Sequence, residues 1–207
     1  MRILVIETAT EACSVALFDG GELLDARHEV LGRGHAERLV PMIAQLPGKG
    51  QADSVRVSLG PGSFTGIRIG LAVAQALGIA WQAKVQGYPT LALLAAMARQ
   101  DGGEHVGDAV TVCTNGGHGE WFVQNFDSSG HPETEPISLP PQTAQTRDNH
   151  CVVIGGKAAE LAAGRAGFSV LDCLPDARHG LALPSAVLSD TLAPLYGREP
   201  DAKPASP

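Results

Sequence analysis

The 207 residues carry 15 lysines and arginines against 22 aspartates and glutamates, and the net charge of −7 speaks against direct, affinity-dominating contact with nucleic acid. Hydrophobic residues make up 44%, enough for a real core and too many for a disordered adaptor. Cys13, Cys113, Cys151 and Cys173 form no C-x-x-C pair, which fits a reducing cytosol better than a disulfide scaffold or a zinc site.

Met1-Arg2 leads straight into a strand-like run without the apolar region of a leader, so a soluble, cytoplasmic chain is expected. Residues 3–6, 14–18 and 22–30 read as three strands joined by a Thr/Glu turn and by Asp19-Gly20-Gly21. Residues 35–46 read as a helix with Leu39, Val40, Met42, Ile43 and Leu46 on its apolar side, kinked at Pro41 and ended by Pro47-Gly48-Lys49-Gly50. A strand at 55–59 breaks into Gly60-Pro61-Gly62, after which Ser63 or Thr65 caps a helix running to about Ala80. A short strand at 84–86 and a helix at 89–99 follow, with Pro89 suited to a first helical turn. Asp101-Gly102-Gly103-Glu104 is the best domain boundary.

Beyond it the pattern begins again, with strands at 108–113 and 120–126 around the turn Thr114-Asn115-Gly116-Gly117. An offset of 108 places Phe18-Asp19 on Phe126-Asp127 and Glu7 on Asn115, which favours a duplicated fold, strands first and helices after. Residues 140–146, 156–165 and 184–192 supply the later helices, and the tail 197–207 is expected to be loose.

The helix starting near Ser63 has two stripes. Arg68, Gln75 and Gln82 stand seven apart in one polar line, while Gly66, Gly70, Ala74 and Gly78 recur every four residues with almost no side chain. Glycine in a helix costs up to ~1 kcal/mol relative to alanine, so three on one face ask for a reason. A membrane span is disfavoured by the short apolar stretch and by Arg68 and Gln75. A phosphate loop lacks its lysine. A smooth face lets another backbone come close, and periodicity does not decide whether that backbone belongs to this chain or to a partner.

Taken together, ILVIETATEACSVALF, HAERLVPMI, GPGSFTGIRIGLAVAQALG and the terminal Tyr196-Gly197-Arg198 resemble the TsaB (YeaZ) family of the tRNA threonylcarbamoyladenosine pathway. The first three cover most of residues 3–80. The resemblance implies a mixed α/β fold of two ribonuclease-H-like lobes in the actin/Hsp70-like ATPase class. Here those would be residues 1–100, carrying the partner-binding helices, and a smaller lobe at 101–196. It also implies a non-catalytic role: pairing with a catalytic paralogue, TsaD, that modifies adenosine 37 of tRNA, joined by the ATPase TsaE. Transfer RNA would be met mainly through the partner. A further reading keeps the scaffold role and lets two copies pair through the same smooth face when the partner is absent, with homodimer and monomer both left open by the sequence. The implied interface is His35, Arg38, Leu39 and Met42 on the first helix with Gly66, Gly70, Ala74 and Gly78 on the second.

The residues themselves offer little catalysis. Glu7 in the first hairpin and Asn115 at the repeat-equivalent position stand where the actin-like class needs metal-water carboxylates, and an amide cannot neutralise Mg²⁺. Gly155-Gly156 ends a strand at a helix start, as in an adenosine loop, although a plain turn needs the same glycines. An alternative reading, a divergent ATP-dependent transferase or kinase, would use Glu7, Gly155 and Gly156. The paralogue's His-x-x-x-His pair falls on Thr90 and Leu94, so no metal site is expected, and no intrinsic cofactor, with ATP and Mg²⁺ entering only in a complex. Ser63 does not lie in a G-x-S-x-G elbow, so hydrolysis of the Ser/His/Asp kind has no support.

Overall fold

Strand β1 (Arg2–Glu7) turns into β2 (Ala12–Asp19), and β2 returns as β3 (Glu22–Val30). Gly20 and Gly21 both have positive φ, 59° and 97°, as a two-residue hairpin turn twisted with its strands requires. Helix α1 (His35–Ala44) runs through Pro41 and stops two residues short of the expected end, where a 3-10 turn, Pro47–Gly50, takes over. Strand β4 (Ser54–Ser58) pairs parallel with β1, and β5 (Lys84–Tyr88) pairs parallel with β4. Helix α2 (Phe64–Trp81) makes the crossover between them. The resulting sheet order is β3-β2-β1-β4-β5.

Both faces of this sheet are covered. Alternation along β1 and β2 sends Leu4, Ile6, Val15 and Leu17 toward α1 and α2, where Leu39, Met42, Ile67, Leu71 and Ala74 meet them. Val5, Ala16 and Phe18 face the other way, onto α3 (Thr90–Asp101). Pro89 is the cap of α3, in extended backbone, and not a residue of its first turn. Thr90 through Ala98 are all buried, because α3 is covered from its far side by a second sheet.

That sheet comprises β6 (Val110–Gly117), β7 (Glu120–Phe126), β8 (Ile137–Leu139), β9 (Val152–Ile154) and β10 (Ser169–Leu171), in the order β10-β9-β6-β7-β8. An antiparallel three-strand meander with two parallel strands added on the side of its first strand therefore occurs twice. The fold is a mixed α/β arrangement of two five-stranded sheets of the same topology, the duplication that the sequence pattern suggests. The duplication is imperfect: register slips at the bulge between Asn115 and Gly117. Helices α4 (Pro141–Gln145) and α5 (Ala158–Ala162) cover the outer face of the second sheet with Ala144, Ala158 and Leu161. Both are five residues long and shorter than the sequence pattern suggests.

The computed structural model describes residues 1–197, so Arg198 and the rest of the tail expected to be loose lie outside the described residues. The helix expected at 184–192 is only a 3-10 turn, Ser185–Val187. Beyond it Ser189 exchanges both backbone hydrogen bonds with Gly87 at the edge of β5, which competes successfully with helical bonding. Asp176 likewise accepts from Ser14 of β2, and the Gly180 carbonyl accepts from Arg56 of β4. The segment from Asp176 onward thus packs on the first sheet, although its place in the chain suggested the second lobe.

Candidate functional site

Helix α2 is capped by Ser63, whose hydroxyl accepts from the Gly66 amide at 3.3 Å. Its small-residue stripe faces inward. A Cβ on Gly66 would stand 2.1 Å from the Thr8 carbonyl oxygen, one on Gly70 2.4 Å from Thr8 Oγ1, and one on Gly78 2.4 Å from Val85 Cγ2. Ala74 is fully buried in the same layer. The backbone that comes close is this chain's own sheet, and the expectation that Gly66, Gly70, Ala74 and Gly78 meet a partner is corrected. Gly70→Leu would strike Thr8 and damage the fold before it reached any interface.

The picks on α1 are turned inward for the same reason. Leu39 and Met42 are fully buried, and His35 is buried with Nε2 3.2 Å from the Ala12 carbonyl. Arg38 is half-buried and paired through two hydrogen bonds with Glu29 of β3. The residues that α1 and α2 turn to solvent are others: Val40 (54% exposed), Ala36, Glu37, Pro41 and Ala44 on α1, and Phe64, Thr65, Arg68, Ala72, Gln75, Ala76, Ile79 (82% exposed) and Ala80 on α2. The two helices lie side by side, so these form one broad surface of small and apolar residues, crossed by the Arg68–Gln75–Gln82 line and carrying Glu37 and Thr65 as further polar side chains.

The hairpins tell a different story. Glu7 lies on the α3 side of β1 and is fully buried. Burial pushes its carboxyl up to about 7, against the opposing pull of the Ala9 amide, which donates to Oε1 at 2.7 Å, and of the nearby Ser58 and Tyr88 hydroxyls. Those hydroxyls are engaged elsewhere, Ser58 with Thr90 at 2.5 Å and Tyr88 donating to the Ile6 carbonyl at 2.9 Å, and among the described residues Glu7 Oε2 has no hydrogen-bond partner. Three hairpin amides are taken from within: Ala9 by Glu7, Ala12 by Thr10, and Gly117 by Asn115 Oδ1 at 3.0 Å. The Ser63 amide at the start of α2 donates to the Ala9 carbonyl at 2.7 Å, so the turn and the helix close on one another. Gly155, with φ 119°, gives its amide to Leu171 and has no room for a Cβ against the Cys113 carbonyl. The carboxylate facing Gly156 is Glu11, with Oε1 4.0 Å from where a Cβ would stand. Among the described residues no group of three or more His, Cys, Asp or Glu is placed to hold a metal.

A protein-family profile described as "TsaD: tRNA N6-adenosine threonylcarbamoyltransferase" matches residues 28–134, more than half of the chain. The Escherichia coli protein described as "tRNA threonylcarbamoyladenosine biosynthesis protein TsaB" is 36% identical over 155 residues, 71% of this chain and 66% of that protein. The Haemophilus influenzae protein of the same description is 39% identical over 104 residues, 48% of this chain and 42% of that protein. The solved structure of YeaZ from Pseudomonas aeruginosa superposes with a TM-score of 0.78 at 28% identity, covering 94% of this chain and 99% of that one.

The chain belongs to the TsaB/YeaZ family. The matched segments span less than two thirds of the length of the E. coli and H. influenzae proteins, 66% and 42%. In this family member Ser63 spends its oxygen as a helix cap, and Cys13 and Cys113 are buried thiols that desolvation pushes up to about 12. None of the three is a poised nucleophile. Tyr196 of the tail signature, for which the sequence offered no role, sits against the first turn of α2. Only a long-range contact places it there, and no local signal in the sequence encodes that contact.

Proposed function

We propose that this chain is a non-catalytic subunit in the formation of N6-threonylcarbamoyladenosine at position 37 of tRNA, and that it binds and activates a TsaD-type transferase. The observation that carries this reading is the outward face of α1 and α2, where Val40 and Ile79 stand exposed beside small residues, while one amide in each hairpin, Ala9 and Gly117, is already engaged by Glu7 and Asn115. A standard interface on that face would bury roughly 1,600 Å² in total. A TsaE-type ATPase joins the assembly, nucleotide and Mg²⁺ enter at the level of the complex, and tRNA is met mainly through the partner in the cytoplasm. Alone, the chain pairs with a second copy through the same face, so self-association and partner binding compete.

Ala76 is exposed in the middle of this face and makes the test clean. Ala76→Arg is expected to abolish binding of the TsaD-type protein and its stimulation of threonylcarbamoyl transfer, with the melting temperature within a degree or two of the wild type. Normal binding by that variant would remove the docking face. Tight, Mg²⁺-dependent ATP binding by the isolated chain, lost in Glu7→Ala, would instead favour a divergent ATP-dependent transferase or kinase.

A further inference from the structure

The last described residues run back over the first sheet and finish at α2. Asp190 holds Lys84 and Gln86 of β5, and the Leu195 amide donates to the Leu59 carbonyl at 2.7 Å. Tyr196 then stacks on Phe64, ring centroids 5.6 Å apart and planes 29° apart. Its hydroxyl accepts from Arg68 Nη2 at 3.2 Å, and the Arg68 guanidinium carbon lies 3.6 Å from the Phe64 ring centroid. Gly197 follows where a Cβ would be 2.5 Å from the Phe122 ring and 3.1 Å from Pro61, so the second sheet fixes the position of the run's end.

These three side chains hold one another in place without being buried: Phe64 is 54% and Tyr196 47% exposed, and Arg68 is exposed as well. Rigid aromatic and arginine side chains lose little entropy on docking and dominate interface energetics. Among the described residues no carboxylate pairs with Arg68, whose one hydrogen bond goes to Tyr196 and whose other N–H donors remain. Covering that guanidinium with an apolar surface would strand its charge.

We propose that Phe64, Arg68 and Tyr196 form the anchoring end of the docking surface, built jointly by α2 and the C-terminal run, and that the TsaD-type partner places a carboxylate on Arg68. The proposal rests on the docking reading above and adds to it a second chain segment and an acidic counterpart. The chain has two tyrosines, and Tyr88 is fully buried, so nitration by tetranitromethane with peptide mass analysis reads Tyr196. Tyr196 is expected to react in the chain diluted until it is monomeric, and to be protected there by saturating TsaD-type protein. Tyr196→Ala and Arg68→Ala should each weaken the complex about 30-fold by titration calorimetry, with Tyr196→Phe losing much less and the melting temperature steady in all three. If Tyr196 stays reactive in the complex and Tyr196→Ala binds normally while Ala76→Arg does not, the anchor is wrong and the docking face stands. If Ala76→Arg also binds normally, the docking face itself is wrong. Protection that grows with the chain's own concentration, and not on adding the partner, would give the cluster to a second copy and overturn the partner assignment.

Discussion

Gly66→Ala is expected to destabilise the chain by about 2–3 kcal/mol, despite the ~1 kcal/mol that alanine gains over glycine in a helix. The new methyl would lie 2.1 Å from the Thr8 carbonyl oxygen. Neither side can yield easily. Thr8 Oγ1 donates to the Gly66 carbonyl at 2.8 Å, and the neighbouring Ala9 carbonyl takes the Ser63 amide, so hairpin and helix are tied at both ends of the contact. Ala72→Gly, on the exposed side of the same helix, should cost only the propensity difference of ~1 kcal/mol. Urea unfolding of the two variants checks the pair. A Gly66→Ala protein as stable as the wild type would mean that α2 does not rest on the first hairpin.

Glu7→Gln is expected to stabilise the chain above neutral pH by up to about 3–4 kcal/mol and to flatten its stability between pH 4.5 and 8. In the unfolded chain the carboxyl has its ordinary value of 4.5, and in the folded chain burial raises it to about 7. The folded state therefore binds the proton more tightly. Glu7's contribution is most favourable below pH 4.5 and is lost as pH rises through 7, and the span from 4.5 to about 7, at ~1.4 kcal/mol per pH unit, puts the ceiling between about 3 and 4 kcal/mol. An amide keeps the acceptor for Ala9 and carries no charge. Glu29, held below the usual range by its hydrogen bonds to Arg38, acts with the opposite sign and only in more acid solution. Denaturant melts across the window, wild type against variant, decide the matter, and parallel curves would show that Glu7 is not the buried proton acceptor.

Much of this fold is legible in the sequence. Alternating β-branched runs, the Asp19-Gly20-Gly21 turn and the Ser63 cap locate the strands and the long helix within a few residues, and the repeated Phe-Asp pair marks the duplicated sheet. What periodicity cannot supply is direction. The four-residue spacing from Gly66 to Gly78 locates a smooth stripe, yet a stripe suits this chain's sheet as well as a partner. The polar Arg68–Gln75–Gln82 line on the far side, flanked by Phe64 and Ile79, was the better pointer to the outward face. Glu7 gave no warning either, because a central strand covered on both faces has no polar side for alternation to reveal. Contacts such as Ser189 with Gly87 and Tyr196 with Phe64 join residues about a hundred positions apart, beyond the reach of any local pattern.

The central claim is that this chain works by docking on a TsaD-type enzyme, and size-exclusion chromatography with light scattering on the chain alone and mixed with that enzyme tests it most directly. A 1:1 complex that replaces the free chain or its homodimer, and that Ala76→Arg prevents, is the predicted result. Two separate peaks of unchanged mass, with or without ATP and Mg²⁺, would contradict it.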